Sequence, residues 1–139
     1  IDVCRGRIDL QIELKGKGTA RLTAESIIKN DIVQNTLVTS FDVDSLREIK
    51  GIERSIRVGL LLRKDMGDML WDLAQELSLE YICPKYSLVT REMVDAAHKR
   101  GLKVYAYAVN DKAVWQKMSD FGVDDIGTDF PDLIIGPHE

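Results

Sequence analysis

Apolar and polar side chains alternate strictly from residue 10 to residue 15. Leu10, Ile12 and Leu14 fall on one side, and Gln11, Glu13 and Lys15 on the other. A period of two predicts a strand over about residues 9–15 with one buried face. Two settings suit it. It is either an edge strand with one wet face, or part of a barrel of parallel strands with the polar row inside. In the barrel, Glu13 and Lys15 stand at the C-terminal mouth, where such barrels keep their chemistry. Residues 36–42 are β-branched and aromatic, which predicts a second strand ending in Ser40 and Asp42. Residues 57–63 form a short continuous apolar run, the pattern of a strand buried on both faces. Tyr81-Ile82-Cys83-Pro84 is a shorter strand-like piece, with proline better suited to its end than its centre. Residues 104–110 and the short stretch 125–129 complete the set.

Helical patterns occupy every gap. Thr23 is placed to cap a helix through Ile27, Ile28 and Ile32, and Asp44 to cap one carrying Leu46 and Ile49. Met66, Met69, Leu70, Leu73, Ala74 and Leu77 make one apolar stripe with Trp71 beside it. Methionines at that spacing read as packing, not as a cofactor box. Thr90 opens a helix through Met93, Val94 and Ala97 that Gly101 stops, and Asp111 opens another with Val114, Trp115 and Met118 that Gly122 closes. Pro131 fits the first position of a terminal turn over residues 131–135. Residues 1–8 show no period and read as the tail of an earlier helix plus a turn at Arg5-Gly6-Arg7. Strand starts near residues 9, 36, 57, 80, 104 and 124 therefore alternate with helices. Such βα units call for a parallel sheet with right-handed crossovers, and 139 residues for a single domain.

Composition narrows the class. With 45% hydrophobic and 30% charged residues the chain reads as a soluble globular domain. A net charge of -4 suggests neither a nucleic-acid footprint nor a basic membrane surface. No apolar run approaches the roughly 20 residues of a membrane span, and no signal peptide is visible. Cys4 and Cys83 have neither metal-binding nor CxxC spacing, so free thiols and a cytoplasmic location are expected. The chain opens on Ile1-Asp2-Val3-Cys4 without an initiator methionine, which reads as a start inside something longer.

In a parallel sheet the C-terminal strand ends share one edge. Here they carry Glu13 and Lys15, Ser40 and Asp42, Arg63, Lys85, Asn110, then Thr128 and Asp129. A carboxylate beside cations suits a hard divalent metal and an anionic substrate. It equally suits a buried Glu–Lys pair that only satisfies a barrel interior. Gly16-Lys17-Gly18 has the spacing of no phosphate loop and reads as a flexible turn. His98 falls mid-helix and His138 in the tail, so neither is placed for acid–base work. No G-x-S-x-G elbow or Ser/His/Asp set is present.

Five motifs then resemble one family in order and spacing. Ile12-Glu13-Leu14-Lys15 looks like the I-E-[IL]-K strand of glycerophosphodiester phosphodiesterases, and Thr39-Ser40-Phe41-Asp42 resembles their S-S-F-D strand. Ala96-Ala97-His98-Lys99-Arg100-Gly101 is similar to the A-H-x-x-G helix end, and Tyr107-Ala108-Val109-Asn110 stands where W-T-V-N is expected. Gly122-Val123-Asp124 with Thr128-Asp129-Phe130-Pro131 resembles G-V-D…T-D-x-P. The resemblance implies a TIM-like (β/α) barrel that hydrolyses glycerophosphodiesters to an alcohol and glycerol 3-phosphate with magnesium or calcium. It implies Glu13 as a metal ligand, Lys15 as a phosphate contact, and Ser40, Tyr107 and Asn110 as substrate-binding residues. Tyr107 replaces the family's tryptophan, which keeps an aromatic wall and alters the fit.

The family's H-R-G strand, E-x-D metal pair and second histidine lie upstream of the I-E-[IL]-K strand. The resemblance therefore implies an incomplete barrel, about the last five βα units of eight, with no catalytic residue of its own and an inactive isolated chain. Six strands here plus three upstream would make nine, so the Tyr81 piece is expected to be only an extension. Open strand edges imply self-association. Two rivals stand beside this reading. One is a non-catalytic interaction module on the same architecture. The other is a receiver-like or dinucleotide-binding open sheet, which the missing glycine fingerprint and missing acidic cluster oppose.

Overall fold

The structure, a computed structural model, describes residues 1, 3–4 and 6–132. The chain divides into two compact units, Ile1–Leu61 with Gly67–Glu80, and Leu62–Met66 with Tyr81–Glu139.

The first unit holds β1 (Leu10–Leu14), α1 (Ala20–Lys29), β2 (Thr36–Ser40), α2 (Val43–Ile52), β3 (Arg57–Leu62, its last residue belonging to the second unit) and α3 (Met69–Glu76). β1 pairs with β2 and β2 with β3, all parallel, with Glu13 opposite Thr39 and Thr39 opposite Gly59. That register puts Gln11, Glu13, Leu37 and Thr39 on one face. The other carries Leu10, Ile12, Leu14, Val38, Ser40 and Val58. Ile12 shares a cleft of about 320 Å³ with Thr19, Leu22, Thr23, Ser26 and Ile27, so the apolar face is the one α1 covers. Val38, Leu46, Ile49 and Val58 are fully buried in this core. Each such side chain contributes roughly 1.5–3 kcal/mol by leaving water.

The second unit holds β4 (Tyr81–Pro84), α4 (Arg91–His98), β5 (Lys103–Ala106), α5 (Lys112–Phe121) and β6 (Asp125–Ile126). β4 pairs with β5 and β5 with β6, again parallel, Tyr81 standing opposite Lys103 and Tyr105 opposite Asp125. Ile82, Val104 and Ala106 are fully buried, as are Val94 and Ala97 on α4. Lys103, Tyr105 and Tyr107 occupy the alternate positions. Tyr105 and Tyr107 stack with ring centroids 6.4 Å apart.

Several local expectations are corrected. The Tyr81 piece is a strand in its own right, buried throughout and paired with β5, so the described strands number six, not five. Pro84 is tolerated because it is the last residue, where its carbonyl accepts from Tyr107 N at 3.2 Å and no N–H is needed. α1 begins at Ala20, with Thr19 at the cap position and its hydroxyl donating back to Gly16 O. Asp42, not Asp44, caps α2 by accepting from Ser45 N at 3.2 Å. Met69 is exposed and Met66 precedes α3, so the buried stripe is Leu70, Leu73, Ala74 and Leu77. Thr90, Asp111 and Gly122 do cap as the sequence predicts, Gly122 at φ +82°. The turn expected over residues 131–135 extends beyond the described residues, as does His138.

Candidate functional site

In the first unit Glu13 lies at the C-terminal end of β1, on the face turned away from α1. Its carboxylate is 3.7 Å from Lys15 Nζ, and both side chains reach solvent. Gln11 donates to Thr39 Oγ1 at 3.4 Å along the same row, a polar continuation of that face. Ser40 behaves differently. It is on the helix-covered face, buried, and its hydroxyl donates to Leu14 O at 3.3 Å while accepting from Asp42 N at 3.0 Å. It builds the turn that aims Asp42 at α2. Asp42 in turn accepts from Ser45 Oγ at 2.6 Å, and that bond holds its carboxyl below the usual range.

In the second unit Tyr107 follows β5, and its hydroxyl donates to Leu62 O at 2.9 Å. Main-chain bonds bracket it, with Tyr107 N donating to Pro84 O and Tyr86 N to Tyr107 O. The backbone of Tyr107 is therefore fixed on both sides and its ring anchored through the hydroxyl. Asn110 is committed to its neighbours in the fold. It donates to Asp129 Oδ2 at 2.7 Å, and its Oδ1 accepts from Asp129 N at 2.9 Å and Thr128 Oγ1 at 3.2 Å. Asp129 is thus fixed by Asn110, a pairing the sequence places 19 residues apart and gives no periodic signal for. Sequence reasoning places Lys85 at the strand-end edge without a role of its own and passes over Tyr105. Cys83 is buried on β4, where burial and then the nearby Asp125 charge push its thiol pKa up.

His98 is structural, as its place in the helix predicts. Its Nε2 lies 2.9 Å from Asp124 Oδ2, which also accepts from Val104 N at 2.7 Å, tying the end of α4 to the start of β5.

A metal fits these residues poorly. Hard divalent ions take about six oxygen ligands. Glu13 offers one carboxylate, and among the described residues no group of three or more His, Cys, Asp or Glu side chains could hold an ion.

Comparisons with known proteins identify the family. The model of the glycerophosphoryl diester phosphodiesterase family matches residues 11–133, and the chain belongs to that family. YhdW of Bacillus subtilis is 29% identical over 96% of this chain and 58% of its own length. The glycerophosphodiester phosphodiesterase of Caldanaerobacter subterraneus subsp. tengcongensis is 27% identical over 80% of this chain and 45% of its own. Among solved structures, an Oleispira antarctica phosphodiesterase in complex with the product sn-glycerol-3-phosphate superposes with a TM-score of 0.77 at 21% identity, over 91% of this chain and 53% of that one. The chain spans about half the length of the relatives it matches. The likeness to solved structures shows the fold: α/β, of the TIM-like (β/α) barrel type, an incomplete barrel with six parallel strands among the described residues. No helix among the described residues is long and apolar enough to cross a membrane.

Proposed function

We propose that this chain is part of a metal-dependent phosphoric diester hydrolase that converts glycerophosphodiesters to an alcohol and glycerol 3-phosphate. The observation that carries the reading is Glu13 and Lys15 side by side at the end of β1, on the face away from α1, within the strand that matches the family. Glu13 would supply a single carboxylate toward a divalent ion such as magnesium or calcium, too few ligands to hold it alone. Lys15 neutralises a phosphoryl oxygen, a contact worth most where water is excluded. Tyr107, pinned through its hydroxyl, presents its ring as a wall for the substrate, and Asn110 holds Thr128 and Asp129 in place beside it. Ser40 serves the substrate indirectly, by shaping the turn after β2.

General acid–base catalysis is worth roughly 10²–10⁴-fold. His98 is engaged with Asp124, and in this reading that step is supplied from outside the described residues. The substrate is a small molecule of glycerol and lipid metabolism, and a cytoplasmic setting accords with the free thiols Cys4 and Cys83.

The test joins the unmatched part of YhdW to this chain and measures glycerophosphocholine hydrolysis with magnesium or calcium. Turnover that Glu13→Ala abolishes is expected. A folded but inert fusion favours the alternative, a non-catalytic interaction module built on the same barrel.

A further inference from the structure

Lys85 combines a fixed backbone with an uncommitted charge. It follows Pro84 at the C-terminal end of β4, and its main chain is held on both sides. Lys85 N donates to Leu62 O at 3.0 Å, and its carbonyl accepts from Leu88 N at 2.9 Å. It forms a parallel bridge with Tyr107. In-register neighbours in a parallel pair point to the same side, so Lys85 and Tyr107 share the face that also carries Tyr105 and Lys103.

Three other cations of this unit are engaged. Lys103 Nζ lies over the Tyr81 ring, 5.4 Å from its centroid, Lys117 lies over Phe121, and Arg91 donates to Asp120 O at 2.6 Å. The Lys85 side chain is exposed and makes no hydrogen bond or ion pair with the described residues. A lysine on a rigid strand end loses little backbone freedom when it binds, and the C-terminal ends of parallel strands are where such folds take ligands. The Tyr107 ring beside it offers a flat apolar wall. A cation next to such a wall matches an anionic head on a short carbon chain.

We propose that Lys85 is a phosphoryl contact, binding the phosphate of a glycerophosphodiester or of its glycerol 3-phosphate product while Tyr107 covers the glycerol carbons. This rests on the functional reading above. Lys85 acts by charge and by donating hydrogen bonds, and it moves no proton.

The experiment titrates the ¹⁵N-labelled chain with sn-glycerol 3-phosphate and follows the amides of Lys85, Tyr86 and Tyr107. Lys85→Gln is expected to weaken binding about tenfold, the scale of one hydrogen bond to a charged group. Lys85→Arg keeps the charge and should stay within about threefold of the unaltered chain. Lys99→Gln, on an exposed turn after α4, should change little. Three results overturn the inference: no saturable shift at these amides, unchanged affinity in Lys85→Gln, or equal losses in Lys85→Gln and Lys99→Gln. The functional reading is judged separately by hydrolysis in the fusion, so the two fail distinguishably.

Discussion

Gly127→Ala tests how the aromatic wall of the second unit is held. A methyl group built on Gly127 overlaps the Tyr105 hydroxyl oxygen and lies 2.7 Å from its Cζ and 3.3 Å from its Cε2. Carbon atoms prefer separations of about 3.5–4.0 Å, so the ring must swing by about 1 Å. The backbone at 127 cannot yield instead. Gly127 N donates to Ala106 O and Gly127 O accepts from Val109 N, both at 2.8 Å. Movement of the ring also disturbs its stack on Tyr107, which lies at an interplanar angle of 22° and is anchored to Leu62 O. Overpacking of this kind costs ~1–3 kcal/mol. In a Tyr105→Ala background the obstruction is gone, and the same substitution should cost less than about 0.5 kcal/mol, the tolerance for independent sites. Urea unfolding of the four proteins gives the coupling. Equal costs in both backgrounds would refute the packing argument.

Two further outcomes are expected. Hydrogen bonds from Ser45 favour the ionised Asp42 carboxyl in the fold and lower its pKa, so their contribution is present in full above about pH 4 and is lost as pH falls through the lowered value. Thermal melts should show Asp42→Ala costing ~1 kcal/mol at pH 7 through the lost cap, with Asp42→Asn nearly neutral there and flatter in acid. The isolated chain should self-associate, because β1 has β2 as its one strand partner and β6 has β5 among the described residues, and unpaired edges recruit other chains. Sedimentation across a dilution series checks it, and a concentration-independent monomer contradicts it.

The strands were legible because their patterns are local. Alternation over residues 10–15 gave β1 and its two faces, and the apolar run at 57–63 gave β3. Tyr81 was discounted by counting strands against a barrel of eight. Its burial and its hydroxyl bond to Asp125 at 2.6 Å are long-range facts. Helix starts went astray where capping residues crowd together. Asp42 and Asp44 are equivalent by type, and only the Ser40–Asp42 turn decides between them. The candidate site divides the same way. Glu13 and Lys15 follow from periodicity, whereas Ser40's commitment to Leu14 O, and Asn110's to Asp129, depend on partners far along the chain.

The proposal is that this chain carries a phosphate-binding and carboxylate-bearing part of a glycerophosphodiester phosphodiesterase, with no acid and base placed for catalysis among the described residues. Glycerophosphocholine hydrolysis by the isolated chain, with magnesium or calcium present, tests it directly. No turnover above the uncatalysed rate is predicted, since His98 is held by Asp124 and one carboxylate holds a metal poorly. Robust turnover that Glu13→Ala abolishes would contradict the account, for it would mean that an acid and a base lie among the residues of this chain.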